Sequence, residues 1–219
     1  MKRPQQQTVI LANGAYPRAR TPAREILDGA TRVVACDGAA NAYRRRTGRW
    51  PTLIVGDLDS FARTRQDAPG TKRILACPEQ ETNDLEKAVR ACRARGWDNL
   101  VIVGATGKRE DHTLGNIFRA FALGVEIVTD EGRLIPVATH LTLPGALGTG
   151  VSIFADDPAT RVVSTGLEWP LDEVRFTNLY CATLNRVSAP RVTLRTTRPI
   201  LVFIQHPPVK ARTKPCRTF

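Results

Sequence analysis

The feature that most constrains the fold of this chain is a regular alternation of short apolar runs and helical patterns. It extends from the start of the sequence to about residue 130, and such alternation is typical of βαβ units with a mostly parallel sheet. The first part of the chain is therefore predicted to be a Rossmann-like α/β domain whose helices flank the sheet. The apolar runs are Thr8–Ala12, Arg32–Cys36, Thr52–Val55, Lys72–Ala76, Asn99–Val103 and Val125–Thr129.

Two of the intervening segments have clear helical boundaries. The first is predicted to begin at a Thr82 or Asn83 cap and to close near Gly96, and the second to end at Gly124. Each has an apolar stripe at helical spacing. The stripes comprise Leu85, Ala88, Val89 and Cys92 in the first helix, and Leu114, Ile117, Phe118, Phe121 and Ala122 in the second.

The composition and periodicity of the sequence change after about Leu134, where short segments rich in Thr, Val, Leu, Pro and Gly replace the helical patterns. We therefore expect two domains of unlike class, an α/β domain over residues 1–134 and an all-β sandwich over residues 135–219. The segments with strand character in the second domain are Val151–Ala155, Arg161–Ser164, Arg191–Thr196 and Ile200–Ile204.

Length and composition favour a globular protein that does not enter a membrane. The 219 residues contain no stretch of about 18 uncharged apolar residues, and the first residues lack the apolar region of a signal peptide. The expected location is therefore the cytoplasm. Five cysteines without a Cys-x-x-Cys pair indicate neither a disulfide framework nor a cysteine zinc site.

The net charge of +11 is the one unusual compositional value. It is compatible with a nucleic-acid surface, with a polyanionic small substrate, or with an arginine-rich proteome. The basic residues are dispersed, and the two densest runs, Arg44–Arg46 and Lys210–Arg217, do not interleave with aromatic residues as in single-strand binders. Nucleic acid is therefore not expected to be the main partner.

Acidic residues follow four consecutive predicted strands. The carboxyl ends of parallel strands meet at one edge of a sheet, so these side chains are expected to converge there. A capping role explains one Asp at a helix start but explains four in succession poorly. A cation or a protonated pair would make such a concentration of negative charge tolerable. The acids are Asp37, Asp57, Asp59, Asp84 and Asp111.

Phosphate binding at this edge would not use a standard glycine-rich loop. Lys108 is followed by Arg109 rather than by Ser or Thr, which excludes a Walker A sequence, and no Gly-x-Gly-x-x-Gly follows the first strand. The predicted arrangement is instead a turn around Gly104 and Gly107 with Lys108 and Arg109 as cationic clamps. Lys87 would either face the same edge or be a solvated helix lysine.

Read in order, four segments closely resemble the motifs of the thiamine pyrophosphokinase family: Asp37–Asn41, Gly56–Ser60, Thr82–Ala88 and Gly104–His112. The resemblance continues in the second domain. Thr165–Leu171 is similar to the family segment Thr-Gly-Leu-x-Trp-x-Leu, and Thr183–Asn185 stands where the family usually has a Ser-Asn pair. Leu184 departs from that Ser, and Cys181 occupies a place often held by Gly.

The resemblance implies an α/β domain followed by a β-sandwich, in a homodimer that holds thiamine between the sandwich of one subunit and the acidic cleft of the other. It also implies the reaction, in which the thiamine hydroxyl attacks the β-phosphorus of ATP and AMP leaves. Such a transfer depends on positioning and on charge neutralisation by Mg²⁺. Asp59 is the first candidate to accept or steer the hydroxyl proton, and Asp84 is the second.

The resemblance also implies a set of site residues. The catalytic and Mg²⁺-binding carboxylates would be Asp57, Asp59, Asp84 and Asp111. Thiamine would contact Trp169, Thr183 and Asn185, although Trp169 is equally compatible with the sandwich core. The residues expected to bind ATP are Asp37, Gly38, Asn41, Ser60, Thr82, Lys87, Gly104, Gly107, Arg109, His112 and Asn116.

Two other functions stay open on the sequence alone. One is a pyrophosphokinase of related architecture that acts on another primary alcohol, such as a pterin. The other is a non-catalytic binder of nucleotides or nucleic acid, which the net charge of +11 would favour.

Overall fold

The structure, a computed structural model, describes residues 6–58, 73–79 and 81–207. Asp59, Ser60 and the basic run Lys210–Arg217 lie outside these residues. The helices are α1 (Pro22–Gly29), α2 (Ala39–Thr47), α3 (Asp84–Arg93) and α4 (Glu110–Leu123). The strands are β1 (Thr8–Leu11), β2 (Val33–Cys36), β3 (Leu53–Gly56), β4 (Ile74–Ala76), β5 (Leu100–Val103), β6 (Glu126–Val128), β7 (Gly132–Val137), β8 (His140–Pro144), β9 (Gly150–Phe154), β10 (Val162–Thr165), β11 (Ala182–Arg186), β12 (Arg191–Thr196) and β13 (Ile200–Gln205).

The first six strands form a parallel array in the order β6-β5-β1-β2-β3-β4. The chain leaves β1 toward β2, β3 and β4, and then returns to place β5 and β6 on the other side of β1. The topological switch point therefore lies between β1 and β5. In open α/β sheets this is where a ligand crevice forms, outside the carboxyl ends of the strands.

Alternation along the parallel strands supplies both layers of the core. Val9 and Leu11 of β1 pack with α1 and α2 on one face, whereas Ile10 packs with α3 and α4 on the other. Both faces are covered, as expected for a parallel sheet. The predicted Rossmann-like domain with flanking helices is confirmed.

The second half of the chain is a β-sandwich, as predicted, but its larger sheet is continuous with the parallel sheet. β7 pairs antiparallel with β6, so that β11-β9-β13-β7 extends the parallel array into one sheet of ten strands. The three-stranded sheet β10-β12-β8 packs across this extension, around residues such as Ile153, Phe176 and Leu194. The domain boundary after residue 134 stays a prediction, and that position falls within β7.

The predicted helix signals match the observed helix ends. The Asn83 side chain caps α3 by accepting a hydrogen bond from the Glu86 N–H at 3.0 Å. Gly124 ends α4 in the left-handed conformation, with φ of 66°. Among the described residues, no helix is long and apolar enough to cross a membrane.

Three strands were not predicted from the sequence: β7, β8 and β11. Pro136 within β7 argues against a central strand, because proline cannot donate to the ladder. The pairing shows why it is tolerated, since β7 pairs with β6 only through Arg133 and Leu134. At Pro136 the strand has β13 as its partner and is locally an edge.

β11 contains a bulge that changes which side chains face the core. Ala182 pairs with Ile153 and Asn185 with Val151, so that β11 advances three residues while β9 advances two. Leu184, inside the bulge, has φ of 63° and is 83% exposed. A branched residue in the left-handed region is strained, since its Cβ crowds the following carbonyl.

This strain predicts that Leu184→Gly stabilises the fold. Glycine adopts the left-handed region without the Cβ penalty, and the free energy of unfolding should rise by up to about 1 kcal/mol after the entropy cost of glycine. The measurement is urea denaturation. The matched control is Leu147→Gly, because Leu147 is also exposed but is not among the residues with positive φ. That control should lose about 0.5 kcal/mol, and a loss of similar size for Leu184→Gly would contradict the strain.

Candidate active site

Three of the predicted acids form one compact cluster at the carboxyl edge of the parallel sheet. Asp37 follows β2, Asp57 follows β3 and Asp84 begins α3, and one carboxylate oxygen from each lies within 4.8 Å of the others. Oxygens on opposite sides of a Mg²⁺ ion are about 4.2 Å apart. Three ligands of one octahedral ion include at least two adjacent pairs, whose oxygens are about 3 Å apart, so oxygens at the 4.8 Å limit would need to approach each other by about 1–2 Å to share one ion. Among the described residues this is the only such group of acidic, histidine or cysteine side chains.

Gly56 allows the three carboxylates to come together. A Cβ at this position would lie 2.9 Å from the Asp37 Cβ and 3.3 Å from the Asp84 Cγ. The last residue of β3 is thus in direct contact with two of the three acids, and only glycine leaves them room. Asp37 itself is 3% exposed and has φ of 38°, a sparsely populated conformation of the kind that occurs at functional sites.

The electrostatics of the cluster favour a cation. Burial raises the pKa of the Asp84 carboxyl above its ordinary value, and the neighbouring Asp57 and Asp37 carboxylates raise it further. Lys87 opposes this shift, with its Nζ 3.6 Å from Asp84 Oδ1 and its side chain 2% exposed. Lys87 thus offsets part of the negative charge at Asp84, and a divalent cation bound to the cluster would relieve repulsion among the three carboxylates.

The fourth described acid of the predicted set, Asp111, is outside the cluster. It is exposed and receives hydrogen bonds from Arg109 at 2.6 and 3.1 Å and from the His112 backbone N–H at 2.9 Å. The Arg109 hydrogen bond holds the pKa of the Asp111 carboxyl below its ordinary value. Asp111 therefore stays ionised beside the glycine-rich turn, and its role in metal binding stays a prediction.

The loops after β1 and β5 are joined by backbone hydrogen bonds across the switch point. The Gly14 N–H donates to Gly104 O and the Ala15 N–H to Thr106 O, both at 2.7 Å. A Cβ on Gly14 would collide with both carbonyl oxygens. Lys108 adds a bond from its Nζ to Asn13 O at 3.0 Å. The glycine-rich turn is thus held against the β1 loop.

A cavity of about 590 Å³ opens beside these joined loops. Gly104, Gly107 and Tyr16 line one side of it, while Leu134, Phe154 and Phe203 contribute apolar side chains from the sandwich extension. A mostly apolar, concave pocket of this size suits a small-molecule ligand.

The remaining residues predicted to bind ATP are spread along the same edge. Gly38 follows Asp37 directly and precedes α2, and Asn41 lies in the first turn of α2. Asn116 donates from Nδ2 to Ala105 O at 2.9 Å and so supports the glycine-rich turn. The Thr82 hydroxyl is bonded to Glu79 at 2.6 Å and to Arg90 at 2.7 Å.

The residues predicted to bind thiamine lie together in the sandwich. Trp169 is 52% exposed, which is contrary to a place in the core. Asn185 is buried, and its side chain bonds to the backbone of Trp169 and to the Arg186 N–H. The Thr183 hydroxyl donates to Tyr180 O at 2.9 Å and closes a turn. Asp59 and Ser60 are not among the residues that the structure describes.

Several residues at the site were not identified from the sequence. Tyr16 lines the cavity, and the guanidinium groups of Arg24 and Arg46 lie over its ring, 5.3 and 4.8 Å from the ring centroid. Arg18 and Asp130 join the β1 loop to the β6–β7 turn at the mouth of the cavity through a bond of 2.9 Å. The only sequence signal for this loop is the turn-forming pair Asn13-Gly14.

These features define a class of protein. A carboxylate cluster beside a ligand-sized cavity, at the switch point of a parallel sheet that continues into a sandwich, indicates an enzyme that transfers groups from a nucleotide phosphate.

Comparisons with known proteins identify the family. The family model described as "Thiamin pyrophosphokinase, catalytic domain" matches residues 23–128, and this part of the chain is a thiamin pyrophosphokinase catalytic domain. It is accordingly an enzyme with thiamine diphosphokinase activity, for which ATP is the donor. No protein with a curated description matches the sequence significantly.

Solved structures of thiamin pyrophosphokinases share the fold at low sequence identity. The yeast enzyme has a TM-score of 0.75 at 16% identity, covering 93% of this chain and 87% of its own. The enzyme from Candida albicans has a TM-score of 0.74 at 14% identity, covering 93% and 90%. The enzyme from Bacillus subtilis has a TM-score of 0.70 at 19% identity, covering 93% and 100%.

The contacts of Gly56 predict that Gly56→Ala loosens the carboxylate cluster. The added methyl would push Asp37 and Asp84 apart, so that divalent-ion affinity should fall by about 10-fold or more and stability by about 1–3 kcal/mol. Calorimetric titration with Mg²⁺ and thermal unfolding measure the two effects. The control is Gly29→Ala, where a Cβ meets nothing within 4 Å. Unchanged Mg²⁺ affinity in Gly56→Ala would contradict the role given to Gly56.

Proposed function

We propose that the chain transfers the pyrophosphoryl group of ATP to the thiamine hydroxyl at the carboxyl edge of the parallel sheet, with Mg²⁺ held by Asp37, Asp57 and Asp84. The observation that supports this most directly is the mutual approach of the three carboxylates within 4.8 Å around Gly56. Hard carboxylate oxygens suit Mg²⁺, which binds through a few protein ligands and keeps waters or phosphate oxygens in its other positions. When bound, Mg²⁺ would neutralise charge on the phosphates of ATP.

The proposed placement of ATP follows from strand spacing. The cavity lies at the ends of β1, β5 and β6, and the carboxylate cluster lies at the ends of β2 and β3. In the sheet, β5 is separated from the midpoint between β2 and β3 by two and a half strand spacings. At about 4.8 Å per spacing, this distance is about 12 Å. An extended nucleoside triphosphate spans this distance, with its base in the apolar cavity and its β- and γ-phosphates beside the acids.

Cationic side chains at the edge have distinct proposed roles. Arg109 and Lys108 lie on the exposed glycine-rich turn and would contact the phosphates after exchanging their partners Asp111 and Asn13. Lys87 is buried and holds Asp84 in place from below the cluster. The thiamine hydroxyl attacks the β-phosphorus of ATP, the bond from that phosphorus to the α–β bridging oxygen breaks, and AMP leaves with that oxygen. The hydroxyl proton passes to a carboxylate, for which Asp59 is the first candidate and Asp84 the second.

We also propose that the site is completed by a second copy of the chain. Trp169 lies beside β11, at the opposite end of the ten-stranded sheet from the acids. β11 and β2 are separated by seven strand spacings. At about 4.8 Å per spacing, the distance between them along the sheet is about 34 Å. Thiamine is much shorter than this, so Trp169 and the acids of one chain cannot hold the same thiamine molecule.

Exposed apolar side chains offer a surface for that second copy. Leu114 and Phe118 on α4 are each 54% exposed, and with Leu179 they line an apolar groove of about 210 Å³. Tyr180, 68% exposed, follows on the same segment of the sandwich. An exposed apolar patch that includes both halves of the chain is typical of a protein interface.

One prediction of the proposed function concerns the chemistry at the carboxylate cluster. Asp57→Asn removes one negative charge without changing size, and should lower the rate of AMP and thiamine diphosphate formation by about 100-fold or more while the circular dichroism spectrum is retained. Asp28→Asn, at a surface acid paired with Arg24, is the matched control and should retain full activity. Formation of ADP and thiamine monophosphate by the wild-type chain would contradict pyrophosphoryl transfer.

The second prediction concerns the shared site. Asp57→Asn chains and Trp169→Ala chains, each weakly active alone at low thiamine, should complement each other when mixed and reassembled. A heterodimer then has one intact site, with its acids from one chain and its Trp169 from the other. Because half of the dimers are heterodimers, activity should reach about one quarter of the wild-type value. If each site lies within one chain, mixing restores nothing.

A further inference from the structure

The β11 bulge brings the Asn185 side chain to the inner face of the sheet. Side chains alternate between faces along a strand, so residues 182 and 185 of a regular strand would point in opposite directions. The extra residue in the bulge restores the phase, and Ala182 and Asn185 are both buried, at 5% and 4% exposure. The strained conformation of Leu184 therefore has a structural consequence, the inward placement of an amide side chain.

Once inside, Asn185 bonds to both backbone groups of Trp169. Its Oδ1 accepts from the Trp169 N–H at 3.2 Å, and its Nδ2 donates to the Trp169 carbonyl at 2.7 Å. The same Oδ1 accepts from the Arg186 N–H at 2.8 Å. The carbonyl oxygen of the amide is thus saturated, because it has two lone pairs and both are used.

These bonds continue a short ladder that holds the Trp169 segment to β11. The Ser188 N–H donates to Gly166 O, and the Glu168 N–H donates to Arg186 O. At Trp169 both backbone groups bond to the Asn185 side chain, which takes the place of a backbone partner on β11. Trp169 is thereby fixed between two buried anchors, Leu167 and Leu171, while its own ring stays exposed to solvent.

We propose that Asn185 is a positioning residue that sets the direction of the Trp169 ring, and that it does not itself contact thiamine. The proposal rests on the proposed function in one respect, namely that Trp169 receives thiamine. A flat cationic ligand gains from an aromatic face only when the ring is correctly oriented, and fixing the ring beforehand lowers the entropy cost of binding. Asn185, buried and with its Oδ1 saturated, meets this requirement through the backbone of Trp169.

The first test separates positioning from general damage. Asn185→Ala should raise the KM for thiamine by about 10-fold while the KM for ATP stays within about twofold. Asn185→Asp keeps the two acceptor bonds, and it replaces the donor to the Trp169 carbonyl with a carboxylate oxygen that repels that carbonyl. It should change the thiamine KM in the same direction if the alanine variant fails to fold. Equal losses toward both substrates would overturn the proposal. Asn178→Ala, at an exposed turn where Oδ1 accepts from the Tyr180 N–H, is the matched control.

The second test is a double-mutant cycle with Trp169→Ala. If Asn185 acts only through Trp169, adding Asn185→Ala to the Trp169→Ala chain should change the thiamine KM by less than about twofold. A further 10-fold increase in that background would show that Asn185 contacts thiamine directly, and would overturn the proposal.

The third test does not depend on activity. In a Trp50→Phe, Trp97→Phe background Trp169 is the sole tryptophan, and without any substrate Asn185→Ala should lower its fluorescence anisotropy and increase quenching by acrylamide. Unchanged anisotropy would overturn the proposal. If the wild-type chain forms no thiamine diphosphate, the proposed function fails, whereas the anisotropy still reports whether Asn185 holds Trp169.

Discussion

The antiparallel pairing of β6 with β7 determines how the two halves of this molecule are related. Ile127 pairs with Leu134 and Val128 with Arg133, and the turn between the strands is closed by bonds between Thr129 and Gly132. Because this pairing merges the parallel array and the sandwich into one sheet, the acids and Trp169 are held at opposite ends of a single structure. A flexible linker would let one half fold back onto the other, but a shared sheet does not. The proposed need for a second copy follows from this pairing.

Much of the fold was predictable because its signals are local. Apolar runs and turn residues predicted the parallel strands, and Asn83 and Gly124 marked helix ends where the structure has them. The sequence did not reveal β7, where Pro136 lies in a central strand at a point that β6 does not reach. Nor did it reveal the bulge of β11, since Leu184 is a poor candidate for a left-handed conformation. Both exceptions depend on the partner strand, which local sequence does not encode.

The candidate site was predictable to the extent that strand ends converge. That principle predicted that Asp37, Asp57 and Asp84 would come together, although Asp37 was assigned to ATP binding and not to the metal-binding carboxylates. It did not distinguish Asp111, which lies in the first turn of α4, after β5, and bonds to Arg109 instead. For Asn185, the family resemblance implied a contact with thiamine, whereas its side-chain hydrogen bonds are made to the backbones of Trp169 and Arg186. A positioning role of this kind depends on the burial of the side chain and on the register of the bulge, and a sequence motif shows neither.

The absence of a standard phosphate-binding loop has a physical explanation in the joined loops of the switch point. In a Rossmann or P-loop site, backbone N–H groups after the first strand are free to receive phosphate oxygens. Here the N–H groups of Gly14 and Ala15 are already bonded to Gly104 O and Thr106 O. The β1 loop therefore cannot receive phosphate through these two groups, and negative charge on the substrate must be offset in another way. The carboxylate cluster at the ends of β2 and β3, with the divalent cation proposed to bind there, would supply that offset.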